Sequence, residues 1–205
     1  MYSRDKPLFM KVSVYDSIEG QKKSIANQAE KIPEERLLNE DLNLLVQELA
    51  RQHSVAVPTI DRSEISASEP QEVEIDFRGG DDFRFNRHGA RRVKGTSVTL
   101  RVPFTGDKEA FYVRPTRASL PPPQATVVQP ELQLTFSGVD LNAQQVKSEF
   151  ESALNEIDAH LATLRTDFQA FNSQVVDLAQ GLLTERKKRI QQRKDFADGL
   201  GYRIR

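Results

Sequence analysis

Three histidines and one group of carboxylates are the residues of this chain whose chemistry suits catalysis or metal binding. His53, His88 and His160 are far apart in the sequence, and none has a second ligand at the short spacing of a local metal site. His88, in the basic stretch NRHGARR, has the surroundings best suited to a functional role. We expect His53 to end the first helix and His160 to lie beside an apolar helical stripe.

The carboxylates of Glu74, Asp76, Asp81 and Asp82 are close in sequence, as in metal-dependent nucleases. Such a site also needs a lysine on an adjoining strand to stabilise the developing charge, and no predicted strand has a Glu-x-Lys pattern. Phosphate-binding loops, dinucleotide fingerprints and nucleophile elbows are also absent. We therefore predict a non-enzymatic protein with no catalytic residues, cofactor or metal site. A hydrolase with an unrecognised active site is the least favoured alternative.

The basic stretch RKKRIQQRK, residues 186–194, has six basic residues in nine and could bind nucleic acid together with a basic patch near residue 90. It lacks interleaved aromatic residues and a known reading head, and a helix C-terminus also favours Lys and Arg. Nucleic-acid binding is therefore the alternative function. Its candidate contacts are Arg87, Arg91, Arg92, Lys94, Arg186, Lys187, Lys188, Arg189, Arg193 and Lys194.

The net charge of −1 argues against a uniformly basic nucleic-acid binder, but charge is segregated locally. Residues 61–82 contain eight acids and two bases, whereas residues 83–101 contain six bases and no acid. This pattern predicts neighbouring strands with complementary outward faces, with a partner surface as the alternative.

The chain has no cysteine, which excludes disulfides and zinc-thiolate sites. It also lacks an apolar run of about 18 residues and a secretory signal. We expect a cytoplasmic protein with no membrane partner.

The first 60 residues predict a strand at LFMKVSVY and an amphipathic helix that begins at Pro33. We expect the helix to bury its apolar stripe against a sheet. The stripe is Leu38, Leu42, Leu45, Val46 and Leu49.

Between residues 73 and 136 the apolar period changes to two, which predicts antiparallel strands with one exposed face. Their sequences are EVEIDF, DDFRF, SVTLRV and ELQLTF. Gly79-Gly80 suits a tight hairpin and Gly106-Asp107 a second turn. The stretch ASLPPPQ predicts a stiff surface connection.

The strongest pattern is a heptad-like seam that begins after Asn142, which with Gln145 resembles a capping box. A helix of roughly 55 residues would reach about 80 Å, too long to pack on the preceding domain, so we expect homo-oligomerisation. A helical hairpin near Asn172 is the alternative. Arginines at seam positions beyond Leu182 predict that close packing ends there. The seam is Val146, Phe150, Leu154, Ile157, Leu161, Leu164, Phe168, Phe171, Val175, Leu178 and Leu182.

Several blocks of the chain resemble the amino-terminal module of uncharacterised bacterial multidomain proteins. These blocks are HSVAVPTIDRSEI, EVEIDF, VKGTSVTLRVPFTGDKEAFYVRPTRASLPPP, FQAFNSQVVDLAQGLLTERKKRI and DGLGYRI. In that family a variable effector domain follows, TIR-like or restriction-nuclease-like. The resemblance implies a role in antiviral defence and an effector, fused or separate, as partner. It assigns no catalytic residues.

Together these patterns predict an α+β protein: a mostly antiparallel β domain with an amphipathic helix, followed by a long C-terminal coiled-coil helix. We predict a globular domain at 1–138, the helix at 139–198 and a tail at 199–205. The expected function is that of a non-enzymatic sensing and oligomerisation module that scaffolds or regulates a bacterial defence effector.

Overall fold

The computed structural model describes residues 5–77 and 91–201, which form an α+β fold as predicted. Two compact units divide the chain. The sheet unit is Met1–Val12 with Val57–Leu164, and the helical unit is Ser13–Ala56 with Arg165–Arg205. This division differs from the predicted one, because the long C-terminal helix contributes its first part to the sheet unit and its second part to the helical unit.

The sheet unit is built around a curled antiparallel sheet whose longest strand is β6. The path through the sheet is β1-β8-β9-β6-β3, and β4 and β5 also pair with β6. A 3-10 helix, Lys108–Tyr112, follows the predicted turn, where Gly106 has a φ of 101°. The strands are β1 Lys6–Pro7, β2 Val12–Ser13, β3 Thr59–Ile60, β4 Ser66–Ala67, β5 Gln71–Phe77, β6 Arg91–Thr105, β7 Val113–Arg114, β8 Gln124–Val128 and β9 Glu131–Gly138.

The apolar face predicted for the strands is present across β6 and β9. Leu100 is opposite Leu134, and Val102 is opposite Leu132. Alternate residues of paired strands share a face of the sheet, so these side chains form one apolar layer. The predicted hairpin at Gly79-Gly80 and the strand at DDFRF lie outside the described residues.

The segregated charges pair across β5 and β6, as predicted. Lys94 Nζ lies 2.8 Å from a Glu72 carboxylate oxygen, and Arg92 lies 3.2 Å from that of Glu74. All four side chains are at least two-thirds exposed, so each pair contributes little to stability. Because of these pairs, the outward faces of the neighbouring strands have complementary charges.

The helical unit contains α1 Val14–Lys31, α2 Glu34–Asn39 and α3 Leu42–His53. The prediction of a strand at LFMKVSVY is wrong, because only β2 within it is a strand and α1 begins directly afterwards. The Ser13 side chain accepts a hydrogen bond of 3.1 Å from the Asp16 backbone N–H and caps α1. This cap satisfies an N–H group that would otherwise lack a partner.

The helix predicted from Pro33 is two helices, because Asp41 interrupts it and starts α3. Its side chain accepts a 2.8 Å hydrogen bond from the Asn43 backbone N–H. Leu45, Val46 and Leu49 are buried, as expected for the apolar stripe. The stripe faces another helix rather than a sheet, since α3 packs on α1.

The long helix, α4, runs without interruption from Ala143 to Gly199. The hairpin alternative near Asn172 is therefore wrong. Asn142 caps α4 as predicted: its side-chain oxygen accepts hydrogen bonds of 2.9 and 3.1 Å from the Gln144 and Gln145 backbone N–H groups. The Gln145 side chain donates to Glu149 at 2.8 Å, so the capping interaction is one-sided.

The apolar stripe of α4 is buried within a single chain, although we expected it to need a partner helix. In the sheet unit Leu161 and Leu164 are fully buried, and in the helical unit Phe168 is 1% exposed. Each unit buries its own part of the stripe. The stripe therefore gives no support to a homo-oligomer, which stays a prediction.

Close packing also continues beyond the predicted end of the seam. Leu178 and Leu182 are half-buried, and the buried positions are instead Ala179 and Leu183, one residue later. Ile190 is 5% exposed. The expectation that packing loosens after Leu182 is therefore wrong.

Candidate functional site

The sheet unit has an open pocket of about 560 Å³ between β6 and the first turns of α4. Its volume lies in the usual range of small-molecule sites, and its walls are mostly apolar. The lining residues are Ile65, Pro70, Thr96, Val98, Leu100, Leu141, Ala143, Val146, Lys147, Phe150 and Glu151. We call this the apolar pocket.

The pocket arises because the start of α4 covers β6 incompletely. Val98, Leu100 and Val102 share one face of β6 by alternation. Val102 is fully buried, whereas Val98 and Leu100 are only half-buried. Phe150 fixes α4 over the sheet through an edge-to-face contact with Phe136, with ring centroids 6.5 Å apart. Two apolar strand residues thus remain accessible in a concave surface.

One wall of the pocket is held to α4 by Arg62. Its guanidinium donates to Asp158 at 2.6 Å and to Asn155 at 2.9 Å, and a third contact reaches Glu151 at 3.4 Å. The segment after Arg62 leads to Ile65, which lines the pocket. These contacts fix the position of that wall.

A local turn beside Arg62 adds to this rigidity. The Asp61 carboxylate accepts hydrogen bonds from the Ser63 hydroxyl at 2.6 Å and from its backbone N–H at 2.9 Å. These hydrogen bonds lower the pKa of Asp61. The charged carboxylate therefore stabilises the turn at neutral pH.

The rim of the pocket carries one charge of each sign, on Lys147 and Glu151. Glu151 has the Arg62 guanidinium as a counter-ion. Within residues 5–77 and 91–201, no acidic side chain forms an ion pair with Lys147. Because Arg62 is shared between Glu151 and Asp158, the charges at and beside the rim balance.

His160 is a buried structural residue of the sheet unit, not a flanking position. Its ring stacks on Phe9, with centroids 4.8 Å apart, and is 4% exposed. Nδ1 lies 2.7 Å from the Glu156 carbonyl oxygen, and Nε2 accepts from the Ser119 backbone N–H at 3.3 Å. Both ring nitrogens are thus engaged. The Ser119 hydroxyl donates to the Glu156 carboxylate at 2.8 Å and lies 3.5 Å from Nε2, so its shorter hydrogen bond is to the carboxylate.

His53 ends α3 as predicted, and it is buried in the helical unit. Its Nε2 lies 2.8 Å from the Gln28 side-chain oxygen and its Nδ1 lies 3.2 Å from that of Gln21, both on α1. Burial lowers the pKa of His53, so the neutral ring is favoured. A neutral ring has one N–H and donates to one of the two glutamine oxygens. These contacts join α3 to α1.

A second pocket, of about 500 Å³, lies in the helical unit and is more polar. Its polar side chains bind one another: Gln28 donates to Gln52 at 2.7 Å, and Arg36 donates to Glu48 at 3.2 Å. Because these groups already have partners, the second pocket offers a ligand less than the apolar pocket does.

His88, Asp81 and Asp82 lie outside the described residues, as does the side chain of Asp76. Within the described part of the chain, no group of three or more metal-binding side chains occurs. Over the same residues no helix has the length and apolar character needed to span a bilayer.

Half of the basic run binds the chain's own helices. Arg186 Nη1 donates to the Ala29 carbonyl oxygen at 2.6 Å, and Arg189 forms an ion pair with Glu30. Arg193 donates to Glu34 at 2.6 Å, which lowers the pKa of that carboxyl. These three arginines hold the end of α4 to α1 and α2.

The remaining predicted nucleic-acid contacts are scattered. Lys188 and Lys194 are exposed and Lys187 is half-buried, while Arg92 and Lys94 pair with β5. Arg87 and the side chain of Arg91 lie outside the described residues. Nucleic-acid binding stays a prediction with fewer free cations than the sequence suggested.

Comparison with known protein families, curated proteins and solved structures finds no match for this chain. The apolar pocket is the feature that sequence reasoning missed. Of the predicted seam, Val146 and Phe150 lie in its wall.

Proposed function

We propose that this chain is a non-enzymatic sensing module whose input is a small apolar ligand in the apolar pocket. The observation that carries the proposal is the concave apolar surface on which Val98 and Leu100 stay partly exposed. Full burial of an aliphatic side chain contributes about 1.5–3 kcal/mol. Each of the two is at most about a third exposed, so covering what remains would contribute up to about 1–2 kcal/mol to binding, before the other pocket walls are counted.

The output of the module is α4. Its first turns form a wall of the pocket, and the same uninterrupted helix supplies buried residues to the helical unit. We propose that ligand occupancy regulates an effector, fused or separate, as the resemblance to modules of bacterial defence proteins implies. Self-association is not required for this role.

A neutral fluorescent probe tests ligand binding directly. N-phenyl-1-naphthylamine brightens in apolar sites, and the chain contains no Trp whose emission would interfere. Ala143 is exposed and lines the pocket, so Ala143→Phe should fill the pocket without disturbing the core. We expect the wild type to bind the probe and Ala143→Phe to bind it at least about tenfold more weakly, a loss of about 1.4 kcal/mol.

The matched control is Ala159→Phe, at an exposed position of α4 that does not line the pocket. This variant should bind the probe as the wild type does. Failure of the wild type to bind, or equal weakening by both substitutions, would overturn the proposal.

A further inference from the structure

We infer that the ligand of the apolar pocket is an uncharged molecule with one hydrogen-bonding group, and that this group binds the Thr96 hydroxyl. The inference rests on the proposed function and names the class of its ligand. An alcohol or a phenol has this chemistry, because most of its surface is apolar and its single oxygen both donates and accepts a hydrogen bond.

Thr96 places an uncharged polar group in the wall of the pocket. Alternate residues of a strand share one face and are about 6.6 Å apart, so Thr96, Val98 and Leu100 form a row along β6. All three are half-buried and line the pocket. A ligand that covers Val98 therefore lies next to Thr96.

The strands on both sides of Thr96 leave its hydroxyl without a partner. On β9 Thr96 is opposite Gly138, which has no side chain. On β5 it is opposite Glu72, whose carboxylate lies 2.8 Å from Lys94 Nζ. Within residues 5–77 and 91–201 the Thr96 hydroxyl forms no hydrogen bond. A ligand can therefore bind this hydroxyl without breaking a contact within the described part of the chain.

The charged groups beside the pocket balance one another. Lys147 lies one helical turn from Glu151, which is the spacing of neighbours on a helix surface. Glu151 also lies 3.4 Å from the Arg62 guanidinium, which is shared with Asp158. A ligand with a charge of either sign would bring an unmatched charge against apolar walls, which costs more than a hydrogen-bonded neutral group does.

Displacement of the bound neutral probe, N-phenyl-1-naphthylamine, by para-butylphenol and para-butyltoluene tests the contact. These molecules have the same shape and differ by a hydroxyl in place of a methyl group, and the phenol is uncharged at pH 7, as the Tyr side chain is. Thr96→Val removes the hydroxyl and keeps a β-branched side chain that suits a strand. We expect it to raise the dissociation constant of para-butylphenol about fivefold, equivalent to about 1 kcal/mol for one hydrogen bond. That of para-butyltoluene should change by less than about twofold, because its methyl group makes no hydrogen bond with Thr96.

The matched control is Thr99→Val, the same change on the opposite face of β6. The Thr99 hydroxyl lies 3.1 Å from that of Thr135, and Thr99 does not line the pocket. Both dissociation constants should therefore stay at their wild-type values. Charge is tested with para-butylbenzoate and para-butylbenzylamine, an anion and a cation at pH 7. Each should bind the wild type at least about fivefold more weakly than para-butylphenol does.

Unchanged binding of para-butylphenol by Thr96→Val refutes the contact, as does equal weakening of both neutral molecules in that variant. Equal weakening of para-butylphenol by Thr96→Val and Thr99→Val also refutes it. If either charged molecule binds as tightly as para-butylphenol, the assignment of an uncharged ligand is wrong. In all these cases the wild type still binds the probe, so the proposed function stands, whereas absence of probe binding refutes both.

Discussion

Replacement of Leu161 by alanine tests whether the apolar stripe of α4 forms the core of one chain or joins two chains. Leu161 is fully buried in the sheet unit of a single chain. Removing most of its side chain loses transfer free energy and leaves a cavity, at a cost of about 2–5 kcal/mol. For a chain of this size the midpoint of thermal unfolding should fall by roughly 5–15 °C.

The measurement is circular dichroism on heating, at two protein concentrations about tenfold apart, with the mass determined by light scattering. We expect a lower midpoint in Leu161→Ala at both concentrations and no change in mass. Leu44→Ala is the control, because Leu44 is 68% exposed, and its effect should stay within about 0.5 kcal/mol. A lower mass in Leu161→Ala with an unchanged midpoint would refute burial within one chain.

Two further predictions concern Gly95 and His53. A Cβ on Gly95 would lie 2.3 Å from the Ile75 Cδ1 and 2.7 Å from the Gly138 carbonyl oxygen, so Gly95→Ala should lower the unfolding free energy in urea by about 1–3 kcal/mol. Gly181→Ala, with open space around it, should raise it by up to about 1 kcal/mol, and equal effects of the two would contradict the argument. Because burial lowers the pKa of His53 below its ordinary value near 6.5, the unfolded chain binds more protons below that pH, and stability should fall as pH drops from 7 to 5. His53→Gln should flatten this dependence in urea titrations, and an unchanged pH slope would rule out His53 as its source.

The elements with dense periodic patterns could be predicted from the sequence. α4 presents an apolar residue every three or four positions, and β9 alternates over its whole length. By contrast, α1 buries only Val14, Ile25 and Ala29 along its 18 residues. So sparse a stripe gives almost no helical period, which is why the sequence at the start of α1 favours a strand.

The burial of the α4 stripe within one chain could not be predicted, for a physical reason. Residues 13–56 form a compact unit with the second part of α4, and no local pattern indicates that these distant segments pack together. The contacts of the basic run could not be predicted for a related reason. Arg186 donates to the Ala29 carbonyl oxygen, which is 157 residues away in the sequence. Local charge patterns do not indicate such a tertiary contact.

The candidate site could not be predicted at all, because no sequence pattern marks an uncovered part of an apolar face. Val98 and Leu100 have the same alternation as buried Val102. Their exposure depends on where α4 begins and on the path of the segment from Ile65 to Pro70. Both are results of packing among three separate parts of the chain.

The continuity of α4 makes its residue count a constraint on evolution. Deleting one residue near Ser173, an exposed position, would turn all later side chains by about 100° and draw them back by about 1.5 Å. Arg186 would then lose its alignment with the end of α1. An insertion of seven or eleven residues changes the phase by only about 20°, but it moves the later side chains by about 10 or 16 Å along the axis. Natural variants of this protein should therefore keep the number of residues between Ser173 and Arg186 unchanged.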